Sequence, residues 1–109
     1  MTARFFRKRS AIEERDFDRH PDIVRPAVHR AVQGLGWQAR TTQSGAIEAV
    51  WTSSLFRLKG DVRVQILTVR GVTRVRIESI SRRGGIDFGE NVRAVQEFFQ
   101  RLDVYDIRR

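Results

Sequence analysis

Apolar and polar positions change period several times along the chain, and each change marks an element. From Asp22 onward, Val24, Val28, Ala31, Val32 and Leu35 recur at i, i+4, i+7, i+8 and i+11, the stripe of an amphipathic helix lying on a core. Pro26 interrupts that stripe. Proline is tolerated in a first helical turn, so the expectation is a regular helix that begins close to Arg25 or bends at its start. Gly34 and Gly36 follow, residues that commonly end helices in a left-handed turn.

The period then falls to two. Trp37, Ala39 and Thr41 alternate with polar residues, Ile47, Ala49 and Trp51 do the same, and Gln43-Ser44-Gly45 lies between them. A three-residue loop with Gly45 at positive φ pairs residue 42 with 46, setting Trp37 opposite Trp51 and Ala39 opposite Ala49 on one face. A two-residue loop would oppose inward and outward side chains. A second hairpin turns at Arg70-Gly71, with Val62, Val64 and Ile66 on one strand and Val75 and Ile77 on the other. Its register sets Ile66 against Val75 and Val64 against Ile77 inside. Outside, Arg63 faces Glu78, Gln65 faces Arg76 and Leu67 faces Arg74. A last helix carries Val92, Val95, Phe98, Phe99 and Leu102, with Asp87 or Gly89 as its cap and Phe88 stapled onto Val92.

These elements predict an α+β fold: a four-stranded antiparallel sheet of two hairpins covered on one face by two helices, in the order α-β-β-β-β-α, forming one domain over residues 21–109. Residues 1–20 mix charge with Phe5, Phe6, Ile12 and Phe17 without a sustained period, and Ser10 and Glu13 have capping-box spacing. This segment is expected to be an N-terminal arm, disordered or a short helix.

Composition narrows the function. The 109 residues contain no cysteine, which excludes disulfides, thiolate metal sites and thiol nucleophiles. No apolar run approaches the roughly 18 residues of a membrane helix. Arg4 to Arg9 has the charge of a signal-peptide start but no apolar stretch behind it. The expectation is a soluble chain, either cytoplasmic or exported after loss of a leader. Lys plus Arg number 21 against 13 acids, a net charge of +8. Eight basic residues and two acids lie between Arg57 and Arg83, whereas residues 86–106 are net acidic. Such a field favours anionic partners.

The most distinctive stretch runs Ser79-Ile80-Ser81-Arg82-Arg83-Gly84-Gly85-Ile86-Asp87-Phe88-Gly89-Glu90-Asn91. In one reading, amide N–H groups at a helix start beside Arg82 and Arg83 bind an anion, with Asp87 and Asn91 completing the site. In the other, Asp87 caps the helix, Asn91 braces the loop and the glycines let the chain turn, which already accounts for the residue types. In Ser79, Ser81, Arg82, Gly84, Asp87, Gly89 and Asn91 the chain resembles the bacterial DUF1499 family, whose C-terminal half reads approximately S-x-S-R-x-G-x-x-D-x-G-x-N-x-x-R. Asp61 and Gly36-Trp37 extend the likeness to about residues 22–102. The basic residue that ends the pattern is displaced here, Arg93 lying one position early. The resemblance implies no catalytic assignment, since the family's function is unassigned.

Other chemistry is sparse. His20 and His29 are the only imidazoles and have no carboxylate cluster beside them, so no metal site is expected. Ser79 and Ser81 lack an evident base, and no phosphate-loop or dinucleotide fingerprint occurs, so neither an enzyme nor a cofactor is expected. What remains is a binding or interaction domain recognising a protein or a small anionic ligand through Arg82, Arg83, Asp87 and Asn91. Two alternatives stand beside it. One is nucleic-acid binding through a basic sheet face of Arg63, Arg74 and Arg76, although that face offers no aromatic side chains for stacking. The other is an apolar pocket between sheet and helices lined by Trp37, Trp51, Phe56 and Phe99.

Overall fold

A computed structural model describes residues 2–7, 10–53, 58–82 and 89–105. The elements follow the order β1 (Thr2–Arg7), β2 (Ser10–Phe17), α1 (Pro21–Gly34), β3 (Gln38–Thr41), β4 (Ile47–Ser53), β5 (Leu58–Val69), β6 (Val72–Ser81) and α2 (Glu90–Asp103). The strands form a six-stranded sheet ordered β1-β2-β6-β5-β4-β3, and each neighbouring pair is antiparallel. The α+β class with two helices on an antiparallel sheet is as the sequence implies. The strand count is not: the sheet has two strands more than the hairpin pattern predicts.

Both extra strands come from the segment expected to be a disordered arm or a short helix. β2 lies against β6 along its whole length, from Ser10 opposite Ile80 to Phe17 opposite Thr73, and β1 pairs outside it. Ala11, Glu13 and Phe17 are buried on the helix-covered face of β2. A charged residue therefore occupies an inward position where alternation calls for an apolar one, and the period-two signal disappears from the sequence.

The two predicted hairpins hold their registers. Ala39 meets Ala49, and the backbone N–H of Thr42 donates to the carbonyl of Ala46 at 2.8 Å, closing the three-residue loop with Gly45 at φ 88°. Trp37 precedes β3 rather than opening it, half-buried against the core. In the second hairpin Val64 meets Ile77 and Arg63 meets Glu78, and the turn at Arg70 and Gly71 has φ values of 51° and 83°, the pair of positive angles a two-residue type I′ turn requires.

Alternation then assigns the faces. Ile47, Ala49, Val62, Val64, Val75 and Ile77 point at the helices, which answer with Val24, Val28, Val32, Val95, Phe98, Phe99 and Leu102, all buried. Each fully buried side chain of this size contributes roughly 1.5–3 kcal/mol. The helix α1 starts earlier than the pattern suggests: Pro21 takes a first-turn position, and His20 caps it by accepting the Asp22 N–H on Nδ1 at 3.1 Å. Pro26 lies inside this helix on its exposed side and does not mark its start. Gly36, at φ 74°, follows its end as expected.

The opposite face carries the charges. Asp16 on β2 accepts two hydrogen bonds from the Arg74 guanidinium, at 2.7 and 3.1 Å, and Glu14 lies 3.9 Å from Arg76. The Arg74 hydrogen bonds hold the Asp16 carboxyl below its ordinary value. Stability from this pair is therefore fully present above the carboxyl's unfolded-state value and lost as pH falls through the lower folded-state value. Asp16→Asn should lower the denaturation midpoint at neutral pH, and the gap to the wild type should close below about pH 4. Urea unfolding at several pH values measures this. A gap that stays constant into acid would show that the pair does not titrate with folding.

Candidate functional site

The sheet and helix positions decide what the Ser79–Asn91 stretch can do. Strand alternation turns Ser79 inward, and it is fully buried. On β4 Trp51 also points inward, directly opposite Gly60 of β5, and a Cβ at residue 60 would overlap the indole. The missing side chain lets the ring lie across β5 and reach β6, where Trp51 Nε1 donates to Ser79 Oγ at 2.8 Å. Ser79 Oγ donates in turn to Asn91 Oδ1 at 2.7 Å, and Asn91 Nδ2 donates to Ser81 Oγ at 2.7 Å. Asn91 is 0% exposed in the first turn of α2. This buried chain fastens the start of α2 to the sheet and satisfies polar atoms that would otherwise be costly to bury.

Of the four residues proposed for an anion site, Asn91 is thus turned into the interior, and Arg83 and Asp87 lie outside the described residues. Gly89, at φ 81°, holds the capping position of α2 with no side-chain hydrogen bond. Arg82 faces the other way. Its guanidinium grips the Asp61 carboxylate through Nε and Nη2 at 3.0–3.1 Å, a contact that raises the arginine's proton affinity. The sheet does not bring Arg82 and Asn91 to one place.

Arg82 instead borders an open groove of about 560 Å³ on the helix-free face of the sheet. Arg63 is in the same groove, bonded at 3.3 Å to Glu48, which also accepts from Arg40 at 2.6 Å. Val50 and Ile80 provide apolar surface, and Glu78 stands beside them. Arg74 and Arg76 lie farther along the same face, paired with Asp16 and Glu14 of β2. The face read as basic from the hairpins alone is therefore countered by acids from a strand the sequence pattern concealed.

The tryptophans lie where an apolar pocket was considered. Trp51 and Phe99 are packed in the core at 5% and 1% exposure. Trp37 and Trp51 edge a cleft of about 490 Å³ that also touches Lys59, Glu90, Arg93 and Glu97, while Phe99 is not part of its wall. Phe56 lies outside the described residues. Sequence reasoning also missed Glu13 and Arg15. Glu13 is buried on the core face of β2 and accepts from Arg15 Nε at 2.7 Å, and the Arg15 guanidinium sits 4.1 Å from the centre of the Phe99 ring. Among the described residues no group of three or more metal-ligating side chains gathers, and no helix is long and apolar enough to cross a membrane.

The buried chain sets a measurable cost. Ser79→Ala removes the buried acceptor of the Trp51 indole N–H and one donor to Asn91 Oδ1, so the variant should lose about 2 kcal/mol or more in chemical unfolding. A loss under about 0.5 kcal/mol would mean that water or another group replaces the serine at little cost.

None of the curated proteins compared matches the chain. Among solved structures, CalU16 from Micromonospora echinospora is similar with a TM-score of 0.58 at 14% identity, over 96% of this chain and 85% of that one. A protein from Rhodobacter sphaeroides gives a TM-score of 0.49 at 17% identity, over 95% of this chain and 97% of that one. At such identity the likeness to CalU16 is one of fold. A family profile, that of a protein of unknown function (DUF1499), matches residues 2–102, taking in β1 and β2 as well as the Ser79–Asn91 motif. The chain belongs to the DUF1499 family.

Proposed function

We propose that this chain is a non-enzymatic binding domain that holds a small amphipathic ligand in the groove on the helix-free face of the sheet. The observation that carries this reading is the groove itself, about 560 Å³, with Val50 and Ile80 set among charged side chains. Small-molecule sites have volumes of a few hundred to about 1,000 Å³ and combine apolar surface with a few placed polar groups. Ile80 supports the reading further, since it is an apolar side chain 42% exposed on a strand whose other face is buried from Thr73 to Ser79.

The reading departs from an anion site built on Arg82, Arg83, Asp87 and Asn91, because Asn91 is committed to Ser79 and Ser81 inside the fold. It keeps Arg82 and Arg63 as wall residues. Amide shifts of the isotope-labelled chain, titrated separately with 1-hexanol, hexanoate and hexylammonium, test it. At least one probe should shift the Val50, Val62 and Ile80 amides saturably, and Ile80→Ser should weaken that binding about tenfold, corresponding to about 1.4 kcal/mol of lost apolar contact. Shifts confined to other surfaces, or unaltered by Ile80→Ser, would overturn it.

A further inference from the structure

We infer that the groove selects a cationic head group: its ligand class is a primary ammonium or guanidinium carried on a short aliphatic chain. This rests on the groove being the binding site and adds the sign of the ligand's charge. Three arginines, Arg40, Arg63 and Arg82, and three acids, Glu48, Asp61 and Glu78, line it. The arginines are engaged. Arg40 and Arg63 share Glu48 at 2.6 and 3.3 Å, and Arg82 holds Asp61 at 3.0 Å. Glu78 differs. It lies directly across the β5–β6 ladder from Arg63, but Arg63 turns to Glu48 on the other side, and among the described residues Glu78 has no ion-pair partner.

The consequence is asymmetric. An anion entering the groove must displace a carboxylate already bonded to an arginine, losing charge-assisted hydrogen bonds of the stronger kind. A cation meets a half-buried carboxylate with no bond to break, two residues along β6 from the exposed Ile80. An aliphatic chain attached to that cation would lie on Ile80 and Val50. The overall charge of +8 does not reverse this preference. At physiological ionic strength the screening length is about 8 Å, so distant charges contribute little, and the six that line the groove balance.

Matched probes separate head-group charge from apolar contact. Dissociation constants of hexylammonium, hexanoate and 1-hexanol are measured by amide-shift titration on the wild type and Glu78→Gln at low and moderate salt. Hexylammonium should bind at least about fivefold more tightly than hexanoate. Glu78→Gln should remove most of that preference and leave 1-hexanol unchanged, which also shows that the variant is folded. Added salt should narrow the preference. Hexanoate binding in the groove as tightly as hexylammonium, or a preference that survives Glu78→Gln, overturns the inference while the groove reading stands. Failure of all three probes to shift groove amides overturns both.

Discussion

The arrangement depends on a side chain that is absent. Because Gly60 carries no Cβ, the Trp51 indole can lie across β5 and place its N–H on Ser79 of the next strand. Ser79 passes the connection to Asn91 at the start of α2, and Asn91 returns it to Ser81. An apolar interface alone is non-directional and would tolerate sliding of the helix along the sheet. A closed run of buried hydrogen bonds has one register, because each misplaced polar atom is left unsatisfied in a dry interior. With α2 fixed, its Phe98, Phe99 and Leu102 fill the space over β2 and β6, and among the described residues no helix covers the other sheet face.

What was legible in the sequence follows from the same physics. The β5–β6 register could be read because Val62, Val64 and Ile66 alternate on β5 as Val75 and Ile77 do on β6, and Arg70-Gly71 supplies the positive φ values of a tight turn. β2 could not be read, because two of its four helix-facing positions are Glu13 and Arg15, which survive there by bonding each other and by stacking the guanidinium on Phe99. Long-range partners decide such positions, and local periodicity does not contain them. The start of α1 was misplaced for a related reason. Pro26 looks like a helix boundary, yet an exposed proline was accommodated once His20 and Pro21 had supplied the start.

The site was half legible. The Ser79–Asn91 motif identified the family, and Asn91 as a brace was one of the two readings open from residue types. Which way each side chain points could not be known without β4, since the donor that makes Ser79 and Asn91 structural is an indole 28 residues away in sequence. The charge of the sheet face depends on a strand that the sequence pattern conceals: Asp16 and Glu14, which carry no period-two signal, pair with Arg74 and Arg76. With β2 in place that end of the face is paired, and the groove around Arg63, Glu78 and Ile80 lies beyond it.

A motif that serves as a clasp on one face and a groove on the other together make a division of labour within a single sheet. The claim on which this division rests is that Trp51, Ser79 and Asn91 form one rigid unit with the core. Native-state hydrogen exchange of the Trp51 indole N–H, followed across a denaturant series, tests it most directly. The account requires this proton to exchange only through the global unfolding that releases the Val64 and Ile77 amides. Exchange through a low-energy local opening, while those amides stay protected, would contradict it.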